Sequence, residues 1–492
     1  MSVAVHKTHP KTSNKNIIFY VHVCIFLLIT FGIGFLPPFA QITETGMRVL
    51  GAFLGAIYGW LFIGMGWPGF VALIALGISG YVDNVQALFV EGFSFYAVPI
   101  QILCFIFADA IAKTSFTDYV ASKLLSMNIL VGRPYILMGG CMFITEILIL
   151  VQAGFAGLFL MWSLFANIAK KAGYAKHNTF CNIMIPATLM MFILAEFLFP
   201  FKPGAVVMIG LFQQGTHLSI PFINWVAWFT VFTNIYIVLW TLLVKYILRP
   251  DFSAIADIKD IAGETGASQT KMTSDQKFGL SMLIFFIGCM FLTELLPAGW
   301  AITQILNRMG LLGVLAMVLA IMSVRRTAEG ESFLNLQRAA GAISWDSIWL
   351  LVAVQPLASA FGSNEIGIMP SLMSVVSPIL ANMTPALFLV ACTFVLGLIT
   401  QFSNNFVLMV VFIPLLCPMY ESLGGNPFTM LMCLIVILNT ALATPAASYT
   451  AAIMFGNDQM EKSKAYVQGI THFFFCFILL MLVGAPLANV IF

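Results

Sequence analysis

The feature that most constrains this chain is a series of apolar stretches that recurs from residue 17 to the C-terminal end. A stretch of about 20 apolar residues is long enough to cross a bilayer core of roughly 30 Å as a helix. Because a helix satisfies its own backbone hydrogen bonds where water is absent, these stretches predict an all-α polytopic membrane protein.

The composition agrees with this class and excludes several others. Hydrophobic residues make up 61% of the chain, charged residues only 9%, and the formal net charge is +2. No basic tract interleaved with aromatic residues is present, so no nucleic-acid partner is expected. The nine cysteines show neither a CxxC spacing nor a Cys/His cluster, so we expect no bound metal centre and no resident cofactor. The expected partners are membrane lipid and a transported solute.

Single spans are predicted along most of the chain. They fall at residues 17–36, 48–64, 67–80, 95–112, 224–247, 278–297, 309–323, 344–361 and 465–491. Two longer apolar regions, 129–214 and 371–457, contain internal prolines that interrupt a helix. In the first region we expect breaks at Pro186, Pro200 and Pro203, and in the second at Pro414, Pro427 and Pro445.

Broken helices and a weak internal similarity predict two inverted repeats, with about 11 transmembrane helices and two re-entrant hairpins. "FADAIAKTSFTDYVASKLLS" and "PLASAFGSNEIGIMPSLMSV" share an A-x-A core in the two halves. The predicted segments are a leader and first span (1–47), a first repeat (48–247) with a hairpin near 129–165, a cytoplasmic linker (248–277), and a second repeat (278–492) with a hairpin near 371–418.

The Lys and Arg residues orient this layout. With a cytoplasmic N-terminus, most of them fall in loops on the cytoplasmic side, as bilayer topology requires. The exceptions are Arg48, Lys202 and Arg308. This arrangement predicts an inner-membrane protein with an odd number of spans and an external C-terminus.

The polar residues of the second half suggest a binding site. Ser403, Asn404 and Asn405 precede an apolar run, and "NTALATPAASYT" follows some forty residues later with a helix break at Thr444 and Pro445. Side-chain amides, hydroxyls and unwound carbonyls suit a desolvated Na⁺, and a helix N-terminus suits a carboxylate. Alternatively, these polar groups form hydrogen bonds between packed helices and bind nothing.

These stretches resemble a known family. "TQFSNNFVLMVVFIPLL" is similar to the Ser-Asn-Thr signature of the divalent anion:sodium symporters, and "LATPAASYTAAIMFG" resembles their A-T-P-P-N helix break. The resemblance extends through "TETGMRVLGAFLGAIYGW" and "ISWDSIWLLVAVQPLASAF". It implies a homodimer with a scaffold and a mobile transport domain, and elevator-type uptake of dicarboxylates, citrate or sulfate with Na⁺.

The resemblance also implies site residues. Those for the substrate are Gln152, Ala153, Gly154, Asn404, Asn405, Thr444 and Pro445. Those for the ion are Ser403, Asn404, Ala443 and Ser448, the first three as Na⁺ ligands. Lys202 is a further candidate for the ion site, on grounds given below. The chain departs from the family pattern at Asn405, where Thr is expected, and in the first half, where Gln152-Ala153-Gly154 and "FLFPFKPGAVV" replace the signature and the break.

Lys202 lies where the family places the first helix break. One interpretation is that its ammonium replaces the first sodium or binds an anionic substrate, or couples transport to H⁺. The other is that it reaches the outer surface or pairs with Glu196. Glu146 and Glu196 lie in the same broken region, where a carboxylate requires a partner or a proton.

Three classes of function compete. A channel requires a continuous polar lining, which no span shows. An enzyme requires a catalytic set, and neither H-E-x-x-H nor G-x-S-x-G is present. We therefore predict that the protein is no enzyme but a secondary transporter of a small anion, most simply a di- or tricarboxylate, coupled to Na⁺ or H⁺. The alternative is an uncoupled, channel-like anion permease or exchanger in which Lys202 replaces one sodium.

Overall fold

The protein is all-helical over the part that its computed structural model describes. That part comprises residues 12–114, 116, 119–120, 123, 132–150, 154–256, 271–327, 330–371, 374, 383–445 and 447–492. Seven helices in it are long and apolar enough to cross a membrane, or up to nine if each of two bent pairs counts as one span. The predicted fold class is thus confirmed, while the number of about 11 helices and the re-entrant hairpins remain predictions.

The chain divides into two compact units, the first formed by Met1–Val98 and Ser344–Asn382. Its helices are α1 (Thr12–Gly32), α2 (Glu44–Phe62), α3 (Trp67–Ile78), α4 (Val85–Ser94) and, from the second segment, Trp345–Gly362. Local capping defines where these helices start: Thr43 accepts the amide of Gly46 at 3.0 Å, and Asn84 accepts that of Ala87 at 2.9 Å.

Glycines let the helices of the first unit approach closely. A Cβ on Gly51 would lie 2.8 Å from the carbonyl oxygen of Thr30, and one on Gly59 would lie 2.6 Å from Cβ of Pro68. A Cβ on Gly55 would meet the Thr30 side chain. The Gly51/Gly55/Gly59 stripe of α2 therefore packs directly on α1 and, at Gly59, also on α3, as a small-xxx-small pattern predicts.

The second unit is formed by Pro99–Ile343 and Met383–Phe492. Its helices before the linker are α5 (Ala97–Ala112, most of which belongs here), α6 (Pro134–Leu150), α7 (Gly154–Lys171), α8 (Thr179–Ala195), α9 (Pro203–Thr216), α10 (Phe222–Leu243) and α11 (Ser253–Ala256). After the linker come α12 (Ser274–Leu295), α13 (Ala301–Val324) and α14 (Leu336–Ala339). With Trp345–Gly362 of the first unit numbered α15, the chain continues with α16 (Pro385–Ile399), α17 (Asn405–Ser422), α18 (Pro427–Asn439), α19 (Tyr449–Phe455), α20 (Lys462–Leu479) and α21 (Ala485–Ile491).

Helices α8 and α18 form the centre of the second unit. Every residue from Phe180 to Ala195 and from Thr429 to Asn439 is buried. A helix that is apolar on all sides is stable only when surrounded by other helices, which explains their central position. Both helices end inside the unit, α8 before the break at 196–202 and α18 before the break at 440–448.

Not every proline interrupts a helix as predicted. Pro186 lies inside α8 and Pro414 inside α17, so the expected breaks at these two residues are wrong. One proline removes one backbone hydrogen bond and disturbs one turn, and close packing on all sides holds the rest of α8 together. The helix ends instead where Pro200 and Pro203 follow within eight residues of Ala195.

Candidate functional site

A short connection, residues 400–404, joins α16 to α17 where the second hairpin is predicted, and it is called the hairpin tip below. Asn404 is the N-cap of α17, and its Oδ1 accepts hydrogen bonds from the amides of Phe406 (3.0 Å) and Val407 (3.3 Å). An Asn at this position stabilises the helix start because it satisfies amides that no helical carbonyl reaches. Ser403 beside it is half-buried.

The second helix break faces this tip. Ser448 caps α19 by accepting the amide of Ala451 at 3.1 Å, and its hydroxyl donates to the carbonyl of Ala441 at 2.7 Å. Thr444 donates from its hydroxyl to the main-chain carbonyl of Gln401 in the tip, at 2.6 Å. Thr444 and Ser448 in the break thus bind the backbone of the hairpin tip and of the break itself.

Gln401 holds the tip and the break together. Its side chain is buried, and Oε1 accepts the amides of Ala443 (2.9 Å) and Leu442 (3.2 Å). Its Nε2 donates to the carbonyl of Thr440 at 3.0 Å and to that of Gly397 at 3.0 Å. A single side chain therefore pairs backbone groups that the broken helix leaves without helical partners.

Two asparagines add a second link. Asn405 Nδ2 donates to Asn439 Oδ1 at 3.0 Å, and Asn439 Nδ2 donates to the carbonyl of Ile435 at 2.7 Å. The first residue of α17 is thereby bonded to the last residue of α18. The amide–amide contact fixes the register of the tip against the break.

The first half of the site is built from α6, α7 and the break at 196–202. Predicted residues Gln152 and Ala153 lie outside the described part of the chain, whereas Gly154 begins α7 with a φ of +52°. In this left-handed region a glycine carries no steric cost. The indole of Trp225 donates to the carbonyl of Phe197 at 2.7 Å and so anchors the break.

Lys202 is fully inside the protein, with 2% of its surface exposed. Its ammonium donates to the carbonyl of Ile149, in the last turn of α6, at 2.7 Å and lies 3.8 Å from Oε1 of Glu196. The pairing with Glu196 is confirmed, and the alternative that Lys202 reaches the outer surface is wrong. A cation at the carbonyl end of a helix is favoured by the helix dipole.

The two halves meet within the second unit. The rings of Phe155, next to Gly154, and Tyr449, next to Ser448, lie 5.7 Å apart, and Phe155 also contacts Phe192 with a ring separation of 4.7 Å. The structure therefore brings the start of α7 to the second break.

Helix N-termini, which carry a partial positive charge, and helix C-termini, which carry a partial negative charge, both lie in this region. α7, α9 and α17 begin at these turns, and α6, α8, α16 and α18 end at them. Helix N-termini favour an anion and carbonyl ends favour a cation. In the described residues no group of three or more His, Cys, Asp or Glu side chains is placed to hold a metal. The arrangement suits a small anion and a monovalent cation held by backbone and neutral side-chain groups.

The structure brings together the two segments that the sequence singled out in the second half, and it does so through two residues that were not among the predicted site residues. These residues are Gln401 and Asn439, which lie in the same two stretches as the predicted Ser403-Asn404 pair and the Thr444-Pro445 break. A signal was available, because Gln and Asn in apolar runs require partners. Ile149 had no sequence signal, since its carbonyl is used and not its side chain.

This fold and site define a helical membrane protein of the carrier class, with broken helices and a hairpin at a shared polar centre. A family model described as "sodium:sulfate symporter transmembrane region" matches residues 18–492. The chain belongs to this family of secondary anion transporters, which confirms the resemblance seen in the sequence.

A solved structure supports the same fold. The YdaH transporter of Alcanivorax borkumensis, whose topology is described as unusual, superposes with a TM-score of 0.58 at 14% sequence identity. The match covers 82% of this chain and 89% of that one. No curated protein matches the chain.

Proposed function

We propose that this protein is a secondary active carrier that moves a small di- or tricarboxylate across the cell (inner) membrane as a homodimer, by an elevator-type mechanism. The observation that carries the proposal is the contact of the hairpin tip with the second helix break, through Gln401 and Thr444. Helices end or begin in both segments, and the two segments meet. A substrate that loses its water at this place needs polar groups of the protein as partners, and the helix ends provide them. The family membership supports Na⁺ as a coupling ion.

The substrate lies, in this proposal, between the two halves of the site. Asn404, Asn405, Thr444 and Pro445 contribute from the second half, and Gln152, Ala153 and Gly154 from the first. Na⁺ binds at Ser403, Asn404 and Ala443, with Ser448 at the edge of the same turn. These groups offer neutral oxygens, which a dehydrated Na⁺ accepts in carriers of this kind.

Lys202 takes the place of a first sodium ion. Its ammonium donates to a carbonyl at the C-terminal end of α6, the type of ligand a sodium ion would use there. A fixed charge at this point reduces the number of ions that must accompany the substrate. The same contact favours the second candidate, an uncoupled permease or exchanger.

The first experiment separates the capping role of Asn404 from a ligand role. Asn404→Ala removes the cap at a cost of about 0.5–2 kcal/mol, whereas Asn404→Ser retains a capping oxygen. We expect both variants to lose uptake of labelled succinate, citrate or sulfate in proteoliposomes, and only Asn404→Ala to lose thermal stability. Normal uptake by Asn404→Ser would show that the residue is only a cap.

The second experiment compares Lys202→Ala and Lys202→Gln. If the ammonium replaces an ion, both variants lose substrate binding or acquire a new Na⁺ requirement, measured as uptake against Na⁺ concentration. Accumulation of substrate against its gradient by the wild type identifies a coupled carrier, while equilibration alone identifies the permease. Unchanged ion dependence in both variants would leave Lys202 as a structural residue.

A further inference from the structure

Glu146 is a buried carboxyl group that belongs to neither the proposed substrate site nor the proposed sodium site. It lies on α6, one turn before Ile149, and only 2% of its surface is exposed. Its Oε1 accepts a hydrogen bond from the hydroxyl of Thr233 on α10 at 2.7 Å. Its Oε2 is buried and has no hydrogen-bond partner among the described residues.

An ionised carboxylate fits this environment poorly. A buried charge requires pairing and hydrogen bonds to both oxygens, because the cost of leaving water is otherwise not offset. One oxygen of Glu146 has one neutral donor, and the ion pairs formed by the described residues do not include it. A protonated carboxyl group carries no net charge and loses far less by burial.

The charged and titratable groups around α6 have other partners or lie at other levels of the helix. Tyr236 of α10 bonds His472, Cys181 of α8 lies at the carbonyl of Phe165, and Lys202 bonds Ile149 and Glu196. Further groups on α6 and on the elements packed against it include Tyr135 and Cys141 on α6 itself, Arg133 before it, Lys170 and Lys171 in the last turn of α7, Lys245 and Tyr246 after α10, and Asp251 before α11.

Thr233 can serve either protonation state of Glu146. When the carboxyl is ionised, the hydroxyl donates to Oε1. When it is protonated, the acid can donate to the Thr233 oxygen, whose own proton turns to the carbonyl of Thr230 at 3.2 Å. That carbonyl also accepts the side-chain amide of Asn234 at 2.8 Å, so it is an established acceptor. A hydroxyl that can donate or accept lets a proton bind and leave without rearranging the helices.

We propose that Glu146 is the proton-binding site of the transport cycle: it holds a proton in the conformation described here and releases it to water in the other one. This inference rests on the proposed function and specifies H⁺ as a coupling ion. The position supports it, because Glu146 lies one turn from the end of α6 that Lys202 binds. In this proposal, a change at that end of α6 reaches Glu146 along one helical turn.

Proteoliposomes clamped at zero membrane potential provide the transport test, with labelled succinate, citrate or sulfate as the probe. One proton moved with each substrate gives about a tenfold accumulation per pH unit of gradient, since 1.36 kcal/mol is a factor of ten. We expect Glu146→Gln to abolish accumulation driven by an outside-acid gradient but to retain exchange of labelled for unlabelled substrate. The matched control is Glu294→Gln, whose parent carboxylate binds the amides of Phe222 and Ile223 at the start of α10. It should accumulate substrate normally.

The outcomes separate this inference from the proposed function. Proton-driven accumulation by Glu146→Gln, or a wild type that accumulates substrate with Na⁺ and ignores the pH gradient, would overturn the proton site alone. Failure of the wild type to take up any of the three anions would overturn the proposed function. Whether Glu146 binds a proton would then be decided by the spectroscopic measurement described next.

Infrared difference spectroscopy on the purified protein tests the proton itself. A carbonyl band of a protonated carboxyl group should disappear on going from acidic to alkaline pH in the wild type and be absent in Glu146→Gln. Thr233→Val should retain the band and shift the pH at which it is lost. A band of equal intensity in wild type and Glu146→Gln would contradict the inference.

Discussion

At the scale of single residues, the site depends on side chains that satisfy the backbone of broken helices. Gln401 pairs two amides and two carbonyls, and Lys202 binds the carbonyl of Ile149. Buried backbone groups that lack a partner are rare in folded proteins, and each costs free energy. In this molecule Gln401 and Lys202 hold the two breaks in shape, and Gln401 lies in the same hairpin tip as the proposed substrate residue Asn404.

Gln401→Leu tests this arrangement. The change leaves the amide of Ala443 without its partner, at about 1–3 kcal/mol for a group that stays unpaired. The amide of Leu442 and the carbonyl of Thr440 also lose their bonds to Gln401 but keep the bond to each other at 2.8 Å. We expect a lower melting temperature in detergent and loss of uptake. Ser403→Ala, in the same tip, is the matched control and should retain the melting temperature of the wild type. A Gln401→Leu protein as stable as the wild type would contradict the bridging role.

At the scale of helices, two kinds of packing are present. In the first unit the glycine stripe of α2 allows direct contact with α1, and in the second unit α8 and α18 are enclosed on all sides. Inside a bilayer the hydrophobic effect does not drive helices together. Van der Waals contact between small residues therefore supplies much of the energy of helix association.

Gly55→Leu should therefore disrupt the α1–α2 pair. Even the first carbon of a side chain would lie 2.8 Å from Cα of Thr30, so the helices must separate. Crowding of this kind costs typically 1–3 kcal/mol or more in a packed core. We expect reduced folded yield and a lower melting temperature by gel filtration and thermal scanning. Gly288→Ala on α12 is the comparison, since nothing lies within 4 Å of its added carbon; equal losses in both variants would refute the packing argument.

At the scale of the whole molecule, the predicted orientation follows from the positions of Lys and Arg. These residues remain on the side of the membrane where the chain is made, which predicts an internal N-terminus, an external C-terminus and an odd number of spans. The inverted repeats and the homodimer belong to the same scale and remain predictions.

Fusions to reporter enzymes test the orientation. Alkaline phosphatase, active only outside the cytoplasm, should be active when fused after Phe492 and inactive when fused in the 249–277 linker. A cytoplasmic fluorescent reporter should give the opposite pattern. An inactive phosphatase at the C-terminus would require an even number of spans and a revised layout.

The sequence alone determined the class and most helix positions, and it singled out the two segments that the structure brings together in the second half. The length of an apolar stretch predicts a transmembrane helix, because the thickness of the bilayer sets the number of residues that a helix needs to cross it. The sequence also predicted the break near Pro200 and Pro203, where two prolines three residues apart prevent a helix from continuing. Only the tertiary structure decided that α8 continues through Pro186, that Gln401 bridges the tip and the break, and that Lys202 binds the carbonyl of Ile149. These outcomes depend on contacts between residues far apart in the chain. Every residue has a backbone carbonyl, so the residue type does not reveal which carbonyl accepts a side-chain hydrogen bond.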